Sequence, residues 1–173
     1  LEKPATDVAV LTLRLPATEG FQFHAGQYID ILLKDGKRRS FSIANPPHDT
    51  ATVELHVRHV PGGLFTDQVF STMKVRDILR FNGPHGSFYL RESDKPMILL
   101  AGGTGFAPIK SIIEHALHIG IKRPIHFYWG GRKLADLYML DKANEWATLN
   151  IKFTPVLSES LPADLWQGRT GFV

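Results

Sequence analysis

The chain has 173 residues, 43% of them hydrophobic, with 20 Lys and Arg against 17 Asp and Glu and a net charge of +3. That length and apolar content suit one large or two small globular cores, and the weak charge excess, clustered only at Lys37-Arg38-Arg39, argues against nucleic acid as a partner. No apolar run approaches the ~18 residues of a bilayer span and no charged leader opens the sequence, so no membrane partner and a cytoplasmic location are expected; zero cysteines exclude disulfides and cysteine-held iron–sulfur clusters within the segment.

In chain order, Tyr28 to Leu33 and Arg38 to Ile43 flank Lys34-Asp35-Gly36-Lys37 and read as a hairpin joined by an Asp-Gly turn. Val53, Leu55, Val57 and His59 alternate with Glu54, His56, Arg58 and Val60, the period of a strand with one buried face. Ile78 to Phe81 and Ser87 to Leu90, around a turn at Asn82-Gly83-Pro84-His85-Gly86, predict a further pair. Short strands at this spacing predict a small antiparallel β-barrel, taken as six-stranded.

After Arg91-Glu92-Ser93-Asp94-Lys95-Pro96 the pattern becomes strand, helix, strand, helix, strand. Met97 to Ala101 is the first strand, and Ile109, Ile112, Ile113, Ala116 and Leu117 share a helical face that Gly120 would end. Ile125 to Trp129 is a buried strand, Asp136 to Ala147 looks helical, and Ile151 to Leu157 is the third strand. This predicts a doubly wound parallel α/β unit. The expected division is a barrel over residues 1–93 and a nucleotide unit over residues 94–173. A leucine at position 1 and the turn-like Gly168-Arg169-Thr170-Gly171 just before Val173 lead us to expect a fragment with the second unit incomplete.

Two residue groups carry chemistry. Gly102-Gly103-Thr104-Gly105-Phe106-Ala107-Pro108, between strand and helix, suits a diphosphate: the glycines let backbone approach, and the helix N-terminus favours negative charge. Arg39-Ser40-Phe41-Ser42 with Pro61-Gly62-Gly63-Leu64-Phe65-Thr66 suits a second anionic, planar ligand. Arg39 offers a fork to phosphate or else a solvated hairpin side chain; Phe41 stacks on a ring or packs in the core; Thr104 binds a ligand or caps the helix. Arg132 falls where NAD-binding Rossmann units place an acid, and none stands at residues 130–132, which leaves it to meet an adenosine phosphate or water. The eight histidines form no metal set, and no Gly-x-Ser-x-Gly elbow is present.

These motifs resemble the ferredoxin-NADP reductase superfamily, particularly its flavin reductases and the reductase of CDP-6-deoxy-hexose biosynthesis. Its Arg-x-Tyr/Phe-Ser flavin strand is matched by Arg39, Phe41 and Ser42, its Gly-Gly-x-x-Ser/Thr element by Gly62, Gly63 and Thr66, and its Gly-x-Gly-x-x-Pro nucleotide loop by Gly103, Gly105 and Pro108. Tyr128-Trp129-Gly130-Gly131-Arg132 and Asp136-Leu137-Tyr138 are similar to its adenosine side; its Cys-Gly motif and further strands would lie past Val173. The resemblance implies FAD held by Arg39, Ser40, Phe41, Ser42, Val57, His59, Gly62, Gly63, Leu64 and Thr66, with Ser42 also catalytic through a bond to flavin N5. It implies NADH or NADPH held by Gly103, Thr104, Gly105, Pro108 and Arg132. The expected function is an NAD(P)H-dependent flavoprotein reductase. Hydride passes from nicotinamide to FAD, and electrons go on to a ferredoxin-like domain or protein, whose 2Fe-2S cluster lies outside this segment, or to a small acceptor. The alternative is a flavin-carrying electron-transfer module without NAD(P)H oxidation of its own.

Overall fold

The computed structural model describes residues 1–17, 20–149 and 151–173. Six strands form two three-stranded antiparallel sheets. Strands β1 (Glu2–Ala5), β2 (Val8–Arg14) and β5 (Thr52–Arg58) make one in the order β1-β2-β5; β3 (Tyr28–Leu32), β4 (Arg38–Ser42) and β6 (Arg80–His85) make the other in the order β4-β3-β6. A bridge between Ile43 and Leu55 joins them. Their inward residues, among them Leu11, Ile29, Ile31, Val53, Leu55 and Val57, form one apolar core closed by Phe65 and Val69 of helix α1 (Leu64–Ser71).

Two strand-level expectations are corrected here. Asn82-Gly83-Pro84-His85 is not a hairpin turn but part of β6, and Ser87 to Leu90 is not a strand. The pairing with β3 shifts between Tyr28 and Asp30, so the Gly-Pro signal marks a bulge that bends the strand without reversing it. The polar side of β5 is not solvent-facing either. His56 is 5% exposed, because the second half of the chain packs against that side.

That second half is a four-stranded parallel sheet, β7 (Met97–Gly102), β8 (Ile125–Gly131), β9 (Ile151–Leu157) and β10 (Arg169–Thr170), in the order β10-β9-β8-β7. The fourth strand was not expected: two residues bounded by glycines carry too little pattern to read as β. Because neighbours follow chain order, these strands wind in one direction, and the reversal of order that double winding requires is not among them. Helices α2 (Phe106–His118) and α3 (Leu140–Ala147) cover one face, enclosing Leu99, Ala101, Phe127, Trp129, Ile109, Ile113 and Trp146. Among the described residues no helix is long and apolar enough to cross a membrane.

The two halves are locked by polar groups. Asn45, 3% exposed, donates to the carbonyls of Asp49 and Thr52 and accepts from the Glu54 amide (2.8 Å), while the buried Ser111 hydroxyl of α2 donates to the Asn45 carbonyl (2.8 Å). Asn45→Ala would leave the Glu54 amide unpaired, and a loss of about 1–3 kcal/mol is expected in urea unfolding.

Candidate functional site

A cleft of 590 Å³ opens where the halves meet, within the usual range for a small-ligand site. One wall is β4, contributing Arg39, Ser40, Phe41 and Ser42; another is the start of α1, with Gly63, Phe65 and Thr66; Thr104, Gly105 and Ala107 close it from the α/β half. Strand alternation sets Phe41 over the core, its ring 5.3 Å from Phe65. The Ser40 hydroxyl donates to Asp30 (2.6 Å). At Gly63 a Cβ would lie 2.7 Å from Thr66 Oγ1 and 2.9 Å from the Val60 carbonyl, so only glycine lets this turn close; Thr66 completes it by donating to that carbonyl (2.9 Å).

Four expected residues point elsewhere. Val57 is in the core, and His59 is bonded to Asp67 (2.8 Å) with its ring on Phe70. The Gly62 amide is already taken by Asp67 (3.1 Å), and Leu64 faces a separate groove on the far side of Phe65. Alternation explains Val57, since a residue between two cleft-facing neighbours turns inward.

The glycine loop has two sides. Thr104 and Gly105 line the cleft, whereas Gly103 lines a second cavity of 240 Å³ with Gly130, Gly131, Arg132, Asp136 and Ser158 at the carboxyl ends of β8 and β9. Pro108 sits in the first turn of α2, where its missing N–H costs nothing. Gly103 has φ +50°, and its carbonyl accepts from the indole Nε1 of Trp129 (2.9 Å), which is itself fully buried and stacked on Phe106 at 4.0 Å. The turn is thus held from beneath by an aromatic stack.

Arg132 stays largely exposed but is tied to an acid. Its backbone amide (2.8 Å) and Nε (3.1 Å) both donate to Asp136 Oδ2. Burial pushes the Asp136 carboxyl up, but hydrogen bonds from Arg132 and Lys133 outweigh it and hold the group below the ordinary carboxylate range. An acid therefore does stand at this site, supplied in space from four residues downstream, where reading residues 130–132 alone found none.

Sequence reasoning also missed Arg58, which lines both cavities. Its Nε lies 3.4 Å from Asp7 and its Nη2 3.6 Å from Asp136, distances that pair charges, yet both nitrogens are buried without a hydrogen-bond partner. Its guanidinium also lies 3.3 Å from where a Gly103 Cβ would be. Such unspent donors in a cationic fork fit an anion, and a diphosphate would satisfy them. The available signal was the alternation that puts Arg58 on the same side of β5 as His56.

His56 continues this polar seam. Its Nδ1 meets the Tyr138 hydroxyl (2.8 Å) and its Nε2 meets Glu54 (2.9 Å), which also pairs with Lys110 (3.2 Å). Burial raises the Tyr138 phenol far above its usual value, so the hydroxyl stays protonated beside the His56 ring. Burial would raise Glu54 too, but the His56 hydrogen bond and the Lys110 charge overcome it and keep the carboxylate ionised below the ordinary range.

Geometry of this kind, an antiparallel unit with an arginine-lined cleft facing a glycine loop on a parallel sheet, defines a two-nucleotide oxidoreductase class. Residues 2–89 match the oxidoreductase FAD-binding domain and residues 99–173 the oxidoreductase NAD-binding domain. The chain is 45% identical over 175 residues to the CDP-6-deoxy-L-threo-D-glycero-4-hexulose-3-dehydrase reductase of Yersinia pseudotuberculosis, covering 100% of this chain and 52% of that protein. It is 41% identical to terephthalate 1,2-dioxygenase reductase component 2 of a Comamonas species, covering 95% and 50%. The crystal structure of the Amycolatopsis cytochrome P450 reductase GcoB superposes with a TM-score of 0.88 at 37% identity, over 99% of this chain and 52% of that one. The chain belongs to the ferredoxin-reductase-like family of FAD- and NAD-binding oxidoreductases. It spans about half the length of the curated relatives it matches.

Two outcomes are expected. Trp129→Phe keeps the stack on Phe106 but removes the donor to Gly103; losing about 1 kcal/mol of hydrogen bonding should raise the dissociation constant for a pyridine nucleotide roughly fivefold with flavin retention unchanged, measured by fluorescence titration. Because the Glu54 carboxyl is depressed in the folded chain, the stability it contributes is present at neutral pH and lost as pH falls below about 5; Glu54→Gln should flatten that part of the stability–pH curve in urea titrations.

Proposed function

We propose that this chain is the FAD- and nucleotide-binding portion of an NAD(P)H-dependent flavoprotein reductase. The observation that carries the reading is one cleft walled by Arg39–Ser42 of the antiparallel half and by Thr104 and Gly105 of the α/β half, with the Gly103 cavity immediately behind the loop. Bound FAD would supply the redox chemistry, taking hydride from a nicotinamide and releasing electrons to the next carrier.

The chain's own residues bind and orient. Arg39 and the amides opening α1 would hold the flavin's phosphate end, while Phe41 and Ser42, which line the same cleft, would flank the ring, the Ser42 hydroxyl serving as a hydrogen-bond donor to its reactive edge. Arg58 and the glycine loop, which line the second cavity, would take the pyridine nucleotide's diphosphate, and Asp136 with Arg132 would border its adenosine end. Holding both rings in one cleft makes hydride transfer an internal event. On this reading the two antiparallel sheets are the halves of a closed six-stranded barrel, the boundary between units falls after residue 93, and the protein works in the cytoplasm. The relatives' names, a hexulose dehydrase reductase and a dioxygenase reductase component, support an onward redox partner; a ferredoxin-like domain or protein carrying a 2Fe-2S cluster outside this segment is the partner the family resemblance implies, and a small acceptor is the other route.

Reconstitution with FAD tests this directly. The expected result is retained flavin absorbance after dialysis that bleaches on mixing with NADH or NADPH in stopped flow, the faster of the two naming the preferred donor. Retained flavin without bleaching would leave a flavin-carrying electron-transfer module, and no retained flavin would end the proposal. Arg39→Ala should weaken flavin retention by about 1.5–3 kcal/mol, the worth of a charge-assisted contact, read as the dissociation constant by fluorescence quenching.

A further inference from the structure

Of the side chains that line the cleft, His56 is the one of a type that changes charge near neutral pH, and binding a flavin gives it no task. The Ala44 amide bonds the Glu54 carbonyl (2.8 Å) and Ile43 bridges Leu55, a register that sets residue 56 opposite Ser42 on the same cleft wall. The imidazole is held on three sides. Phe106 stacks on it at 6.0 Å and 19°, Glu54 meets its Nε2 at 2.9 Å, and the Tyr138 hydroxyl meets its Nδ1 at 2.8 Å.

These partners accommodate both protonation states. Glu54 is ionised and can only accept, so Nε2 carries a hydrogen. Nδ1 is then either a bare acceptor or a second N–H, and the Tyr138 hydroxyl serves both, donating to the first and accepting from the second by rotating its own hydrogen. The ring can therefore gain or lose a proton with no heavy atom moving. A buried imidazolium is costly without a counter-charge, and the surrounding charges supply one. Glu54 shares the Lys110 ammonium (3.2 Å) with Glu114 (3.0 Å), while Lys142 approaches Glu114 only at 4.0 Å. The inner part of this cluster thus sets one ammonium against two carboxylates. Arg58, the next charge on this side of β5, is turned to Asp7 and Asp136 instead. The Glu54 side chain is 21% exposed, so the cluster reaches water and can exchange protons with it.

We propose that His56 takes up a proton when a flavin in the cleft is reduced and returns it when the electrons leave, coupling the flavin's potential to pH. The inference rests on the function proposed above. A hydride lost by the nicotinamide brings two electrons and one proton to a neutral ring and leaves that ring with one negative charge. A second proton, from water, adds to Nδ1 of His56 and turns the neutral imidazole into a cation, so the charge within the cleft is unchanged. When both electrons pass to the next carrier, the ring sheds the proton that came with the hydride, and Nδ1 returns its own to water. A cation placed where charge develops, in a site that excludes water, favours the reduced form.

The test follows the chain by NMR with carbon-13-labelled histidine, loaded with FAD and compared in the oxidised and photoreduced forms. The His56 resonance, assigned by its loss in His56→Gln, should titrate with roughly tenfold higher proton affinity in the reduced form, one pH unit. Midpoint potentials measured against redox dyes should follow one more proton per two electrons in the unmodified chain than in His56→Gln, over the interval between the two His56 titrations. Retained, reducible flavin with an unmoved His56 titration would overturn the inference and leave the reductase reading standing. An equal shift at His59, which is bonded to Asp67 away from the cleft, would overturn it too, since the change would then be general. No retained flavin would end both. Should His56→Gln not fold, through-space contacts with the Phe106 ring give the assignment, and the titration of the unmodified chain decides.

Discussion

Strand β5 has to be buried on both faces, and most of the functional geometry follows from that constraint. Val53, Leu55 and Val57 enter the antiparallel core, so Glu54, His56 and Arg58 must point at the α/β half. Three polar side chains cannot be covered without partners, since each would forfeit a hydration shell for nothing. Lys110, Tyr138, Asp7 and Asp136 supply those partners, drawn from α2, the turn after β8 and the turn between β1 and β2. The seam is therefore specific in register as well as attractive: a one-residue slip of β5 would drive charges into the core and valines into the cleft.

The units were legible wherever pattern is long. The alternation at residues 53–58, the apolar run into Gly102–Pro108 and the 3.6-residue period of α2 each extend over six or more residues, and the structure places a strand, a loop and a helix there. Legibility failed where the signal is short or shared. Gly83-Pro84 serves turns and bulges alike, and only pairing with β3 distinguishes them. A two-residue strand such as Arg169–Thr170 exists only because β9 offers it an edge, which no local property announces.

The site divides along the same line. Arg39, Ser42, Gly63, Thr66 and Thr104 are brought to one cleft because the first two lie on β4, the next two open α1 and Thr104 follows β7, positions that sequence motifs mark well. Arg58 escaped, and Asp136 was tied to the adenosine side only through the resemblance, because their significance is relational: an arginine in a half-exposed strand and an acid after a loop look solvated until the halves are docked. Asp136 also shows why spacing rules misfire. The rule expects an acid at the end of the second parallel strand, and here the same space is filled by a carboxylate delivered through a 3-10 turn and fixed by the Arg132 amide.

Two binding cavities that share a wall cannot be energetically independent. The Gly103–Gly105 turn gives its opposite sides to the two cavities, and Arg58 reaches both. Whatever anion first satisfies the free Arg58 donors weakens the hold of Asp7 and Asp136 on that guanidinium, because their distances already fall short of aligned hydrogen bonds. Asp136 then keeps its ionisation through the Arg132 and Lys133 hydrogen bonds alone, so the Arg132 side of the second cavity stays organised while the Arg58 side changes partner. Charge can thus be exchanged at the seam without repacking Trp129 or Phe106 beneath it, and the rigid aromatic stack keeps the loop in place while the arginine above it changes partner.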